Sequence, residues 1–176
     1  YRFAFEEGLR KDNPCVEMRG PGKHKKLPKT LSVDEVSQLL TAARTMPKKK
    51  SQQKRLTCLM ELLYATGMRV TELVSLPVAS VRGQPSMILV CGKGGKERMI
   101  PISNDAQKTI IEWLLFRDGD ETIKKSLFLF PSRGSQGHLT RVWFFQQIKK
   151  LAKTVNISID KLSPHTLRHA FATHLL

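Results

Sequence analysis

No uninterrupted apolar run in the 176 residues comes near the roughly 18 that a membrane span needs; runs such as Met87 to Cys91 and Leu127 to Phe130 are far shorter. A soluble protein with no membrane partner is expected. The three cysteines, Cys15, Cys58 and Cys91, form an odd set with wide gaps and no C-x-x-C pair, which argues against a disulfide framework or a cysteine zinc site and points to a reducing compartment. Acid is scarce: 15 Asp and Glu face 30 Lys and Arg, leaving a formal charge of +15. No acidic cluster has metal-binding spacing, so a magnesium-dependent nuclease or polymerase is disfavoured and neither metal nor cofactor is expected. The chain also lacks an initiator Met and a signal-type apolar start, so the expectation is a fragment or a trimmed product.

What is present in excess is positive charge rather than charge as such. Charged residues make up 26% of the chain, close to the roughly 25% of an average soluble protein. The basic residues gather in stretches without any acid. Met18 to Val33 holds Arg19, Lys23, Lys25, Lys26 and Lys29; Val36 to Met60 and Thr122 to Ile159 are similar. Unbalanced positive runs repel themselves unless a polyanion is the usual neighbour, which favours nucleic acid over a merely solvated face. A membrane surface fits less well, because no basic helix carries a bulky aromatic stripe on its other side.

The pattern predicts an α+β fold, mainly helical, with one small antiparallel hairpin. Tyr1 to Lys11 reads as the tail of a helix, and Asp12 to Leu31, with Pro14, Gly20, Pro21, Gly22 and Pro28 among lysines, reads as a linker. Ser32 and Glu35 form a capping box for a helix to about Thr45. A second helix follows Ser51, with Leu56, Leu59, Met60 and Leu63 on one stripe and Gly67 as its left-handed cap. Arg69 to Leu76 is a short helix stopped by Pro77. Ser86 to Cys91 and Glu97 to Ile102 are strands joined by Gly92-Lys93-Gly94-Gly95-Lys96. Asn104 or Asp105 caps a helix to about Arg117, Thr140 opens one to about Val155, and Ser163-Pro164 starts the last, running to Leu176.

Three segments could carry chemistry. In Ser163-Pro164-His165-Thr166-Leu167-Arg168-His169, helical spacing puts His165, Arg168, His169 and Ala172 on one face and Leu167, Ala170, Phe171 and His174 on the other. Arg matches two phosphate oxygens and a neighbouring His can move a proton, so the motif reads as a phosphate site or as an ordinary helix start with a surface Arg. Zinc is disfavoured: a metalloprotease helix needs Glu where Thr166 stands. His169 is expected to be partly buried and hydrogen bonded, and His174 a satisfied core residue. In the second segment Arg69 follows a tight turn with Glu72 three residues on; spacing alone suggests an exposed ion pair of about 0.3 kcal/mol. The third, Gly92 to Arg98, fails the P-loop test, because Glu97 stands where Ser or Thr is needed, and remains a basic hairpin tip able to reach a DNA groove.

Taken together and in order, A-T-G-M-R-V-T-E-L around Arg69, G-K-G-G-K-E-R around Lys93 and S-P-H-T-L-R-H-A-F-A-T-H-L-L around Arg168 resemble the catalytic domain of tyrosine recombinases, the phage integrase family, with wording similar to the bacterial Xer recombinases. The resemblance covers roughly residues 31–176 and implies a catalytic domain over 32–176, a basic linker over 12–31 and, over 1–11, the end of a helical core-binding domain. It implies that Arg69 and Arg168 clamp a scissile phosphate, that His165 hydrogen-bonds it and transfers a proton, and that Lys93 is the general acid. Glu72 and His169 would support them, and Lys96, Arg98 and Arg141 are the DNA contacts expected from position and charge.

The implied partners are double-stranded DNA and, in the full-length form, a recombinase tetramer on two duplexes; no small-molecule substrate is implied. The implied place is the bacterial cytoplasm, at the nucleoid. The family's tyrosine nucleophile follows the H-x-L-R-H helix, whereas the tyrosines here are Tyr1 and Tyr64, so this chain is expected to bind DNA without cutting it. Two other readings stay open: a nucleophile-free basic DNA-binding module, and a type IB topoisomerase with similar Arg, Lys, His and Tyr chemistry.

Overall fold

In the computed structural model, the described residues are 1–18, 31–159 and 162–174, excluding the side chains of Lys93, Pro164, His165 and Phe171. Most of the expected basic linker, and the chain end at Leu176, lie outside them. The element order is α1 (Arg2–Glu6), α2 (Val33–Thr45), α3 (Lys50–Thr66), α4 (Val70–Val74), a short 3-10 turn (Val78–Val81), β1 (Met87–Cys91), β2 (Glu97–Pro101), α5 (Asn104–Asp118), α6 (Arg141–Thr154) and α7 (Pro164–His174). This is the mainly helical α+β arrangement anticipated, with the hairpin as its sheet among the described residues.

Local signals set most boundaries. Ser32 Oγ accepts from Glu35 N (3.1 Å) and Glu35 Oε2 accepts from Ser32 N (2.9 Å), so two free N–H groups at the start of α2 are satisfied reciprocally. At the other end of the α2–α3 pair, Gly67 adopts φ 55, ψ 21, and its N–H reaches Leu63 O (3.0 Å). The α5 cap is Ser103, not Asn104 or Asp105: Ser103 keeps an extended backbone and its Oγ accepts from Ala106 N at 3.3 Å, so Asn104 is already helical. The short helix is α4 alone, Val70–Val74, because Arg69 is extended and precedes it.

Helix α3 is the axle of the core. Leu56 through Leu63 are buried without interruption, so the helix is enclosed all round its C-terminal half rather than along one stripe. It packs on α2, α5 and α7. The segment Leu127–Leu129 runs beside Leu76–Val78: Val78 N donates to Leu127 O and Leu129 N to Leu76 O, both at 2.8 Å. That strap carries Leu129 and Phe130 into the core under Trp113, whose Nε1 donates to Leu129 O (2.8 Å). Buried Arg117 gathers the carbonyls of Lys124, Ser126 and Phe128 and so closes the loop behind the strap. In contrast, α1 and its surroundings bury none of their large apolar side chains: Phe3, Leu9 and Val16 are at least 70% exposed.

Candidate nucleic-acid interface

The Gly67 turn decides where Arg69 goes. Met68 plugs into the core, fully buried, and the next residue emerges extended (φ −68, ψ 147) immediately before α4. Glu72, one turn into α4, is buried and reaches back. Its Oε2 accepts from Arg69 N (2.8 Å) and its Oε1 from Arg69 Nη1 (3.0 Å). The same carboxylate takes both terminal nitrogens of Arg98 on β2, Nη1 on Oε1 at 3.1 Å and Nη2 on Oε2 at 2.6 Å. This is not the exposed pair that spacing suggested, since the Glu72 side chain is only 6% exposed. Burial alone would raise its pKa, but the hydrogen bonds from Arg98 and Arg69 override it and hold the carboxyl at about 2. Two guanidiniums on one carboxylate leave one net positive charge at this corner.

Helix α7 brings in the second arginine. Ser163 Oγ accepts from Thr166 N (3.0 Å) while Thr166 Oγ1 accepts from Ser163 N (3.0 Å), fixing the helix start. Leu167 and Ala170 are buried against the body, which turns Arg168, His169 and Ala172 outward as helical spacing required. His169 is exposed rather than partly buried, because it faces the open cavity formed with α4 and α6. His174, on the opposite face, shares a hydrogen bond with Tyr64 OH through Nδ1 (3.1 Å). Helix α6, capped by Thr140 Oγ1 on Trp143 N (3.1 Å), buries Phe144, Ile148 and Leu151 and leaves Arg141, Val142 and Phe145 outward.

These three elements enclose one cavity of about 860 Å³, whose lining includes Arg69, Arg141, Arg168 and His169 together with Phe145 and Thr71. No Asp or Glu belongs to that lining among the described residues. A concave, cationic, acid-free surface suits a phosphate, which guanidinium forks can hold by two oxygens each. Lys96 is exposed on the hairpin, away from the cavity lining. Lys93 lies in the hairpin's tip turn, and His165 in the first turn of α7; both side chains are outside the described set. Neither tyrosine lines the cavity.

Sequence reasoning missed the Arg98–Glu72 contact. A signal for it existed: Arg98 shares a strand face with Ile100, which is buried, so alternation aims Arg98 inward. Val142 and Phe145 were also missed, because the expected helix at Thr140 was not assigned a face.

A helical body with a small sheet carries a cationic cleft built from far-apart segments, a surface suited to a polyanion. Residues 29–176 match the Phage integrase family, and the chain belongs to that family. It is 46% identical over 177 residues to tyrosine recombinase XerC of Erythrobacter litoralis, covering all of this chain and 56% of that protein. It is 41% identical over 188 residues to tyrosine recombinase XerD of Bradyrhizobium diazoefficiens, again over all of this chain and 59% of the relative. The chain thus spans less than three fifths of the length of these relatives. A crystal structure of the XerH site-specific recombinase bound to palindromic difH substrate, in a post-cleavage complex, superposes with a TM-score of 0.71 at 26% identity, over 85% of this chain and 42% of that one.

Proposed function

We propose that the chain forms most of the catalytic domain of a site-specific DNA recombinase that cuts and rejoins strands through a 3′-phosphotyrosyl link. The carrying observation is that Arg69 and Arg168, far apart in the sequence, line one cavity that has no carboxylate in its lining among the described residues. In this reading they hold the non-bridging oxygens of the scissile phosphate. As a tyrosine oxygen bonds to phosphorus, the bond to the 5′-oxygen breaks and negative charge spreads over the phosphorane-like transition state. Preorganised guanidiniums stabilise that charge where other phosphoryl-transfer enzymes use metal ions. Lys93 delivers its proton to the departing 5′-oxygen, and His165 hydrogen-bonds the phosphate and moves a proton. Glu72 orients Arg69, and His169 shares the Arg168 face.

Lys96 and Arg141, both exposed, contact backbone phosphates of double-stranded DNA outside the reacting centre. The complete enzyme works as a tetramer on two duplexes in the bacterial cytoplasm, at the nucleoid. Residues 32–176 belong to the catalytic domain, 12–31 to a basic linker and 1–11 to the end of a core-binding domain. The exposed Phe3 and Leu9 support that last assignment, since they are apolar side chains without a body to pack on.

The test is a nicked suicide duplex, in which the released fragment diffuses away and traps the covalent intermediate. The complete protein should form a covalent adduct with EDTA present; strict dependence on added magnesium would contradict the mechanism. One observation favours a second reading for these residues taken alone, a DNA-binding module without a nucleophile: Tyr64 lines a different cavity with Glu61 and His174. Salt-sensitive duplex binding without a covalent adduct by the 176-residue chain fits both readings. An adduct formed by the chain itself would rule out the second.

A further inference from the structure

Resting on that reading of Lys93 as the general acid, the hairpin raises a positional problem. A proton donor misplaced by about 1 Å can lose a hundredfold in rate, yet Lys93 stands in a turn with Gly94 at φ 75 and Gly95 at φ 73. A two-stranded ribbon is marginal by itself. Ile88, Val90 and Ile100 anchor it through one face, while Leu89 and Met99 on the other face are exposed.

Near the tip the anchor is ionic. Arg98, opposite Val90 in the ladder, crosses to Glu72 and occupies both carboxylate oxygens. The turn sits directly on this pair: a Cβ at Gly92 would meet Arg98 Nη1 at 3.2 Å, Lys96 O at 3.3 Å and Glu72 Oε1 at 3.5 Å. Gly92 N also closes the turn on Lys96 O (2.7 Å). The same Glu72 holds the backbone and side chain of Arg69. We propose that Arg98 is a positioning residue which, by forking onto Glu72, locks the Lys93 hairpin to the turn presenting Arg69, so that acid and clamp address one phosphate in fixed register. Its guanidinium is therefore spent inside the protein and not on DNA. A planar fork fixes orientation, which the single ammonium of a lysine does not.

The test compares the complete recombinase with its Arg98→Ala, Arg98→Lys and Lys93→Ala variants on two suicide duplexes, one normal and one with sulfur replacing the 5′-bridging oxygen. A thiolate leaves without a proton, so sulfur relieves a defect in acid delivery and no other. Arg98→Ala should cleave the normal duplex about 10- to 100-fold more slowly and recover on the sulfur duplex as Lys93→Ala does. Its Kd for DNA and the salt dependence of that Kd should not change. Arg98→Lys, which keeps the charge and protects the fold, should show a smaller loss with the same relief. Normal cleavage by either Arg98 variant overturns the proposal. So does a salt slope lowered by about 0.9, the signature of one lost phosphate contact. Relief of Lys93→Ala without relief of Arg98→Ala overturns the positioning role alone. Lack of relief for Lys93→Ala overturns the general-acid reading and the positioning role with it.

Discussion

Two carboxylates are withdrawn from solvent to the same degree, Glu61 on α3 and Glu72 on α4, with side chains 7% and 6% exposed. Each meets an arginine that is itself 53% exposed, Arg44 for Glu61 and Arg69 for Glu72. The difference is the second cation. Glu61 has Arg44 and closes a neutral seam between α2 and α3, whereas Glu72 has Arg69 and Arg98 and leaves surplus positive charge beside the cavity. Burial and pairing alone therefore do not distinguish a structural ion pair from one that serves a site; the leftover charge and its location do.

The comparison breaks if function does not follow the surplus charge. In the complete protein, Arg69→Ala and Arg168→Ala should each lower cleavage by about a hundredfold or more, as lost oxyanion donors do at roughly 3 kcal/mol each. DNA affinity should fall far less. Arg44→Ala should leave the cleavage rate near normal, and an equal loss there would erase the distinction. Cleavage of a suicide duplex by the three variants decides it.

Stability should separate the two sites less sharply. Glu72→Ala leaves two neighbouring guanidiniums without a counter-charge and should cost about 2 kcal/mol after solvent screening, against about 1 for Glu61→Ala. Urea melts of the 176-residue chain measure both. Acid should weaken the contacts of Glu72. Its folded pKa of about 2 lies below the ordinary glutamate value, so its contribution is complete at neutral pH. That contribution is lost as pH falls from about 5 towards 2. The wild type should show that acid loss in its melting temperature, and Glu72→Gln should show a smaller one. An effect as small as that of Glu61→Ala is expected at the turn before Arg69: Gly67→Ala forces an L-residue to φ 55 and should cost about 1 kcal/mol. A melting temperature unchanged by that substitution would mean the turn relaxes without consequence.

Much of the scaffold was legible because local chemistry determines it. Ser32 and Glu35 cap each other within one turn, Gly67 supplies a positive φ, and the glycines between two β-type runs announce a hairpin. The outward face of α7 followed from the 3.6-residue period once Leu167 and Ala170 were taken as buried. What was not legible depends on contacts between distant segments. The strap of residues 127–129 beside residues 76–78 has no local signature, because the segment it pairs with lies far away in the sequence. The choice of Ser103 over Asn104 as a cap turned on which residue stayed extended after β2, a matter of one residue's backbone. The sharing of Glu72 between Arg69 and Arg98 needed the hairpin to fold over α4, which spacing within either segment does not reveal.

The measurement that bears most directly on all of this is a crystal structure of the complete protein on a duplex carrying its cleavage site. The account predicts the guanidiniums of Arg69 and Arg168 within hydrogen-bond distance of non-bridging oxygens of the same phosphate, with Arg98 still on Glu72. Guanidiniums on different phosphates, or a divalent ion seated between them and the scissile group, would contradict it.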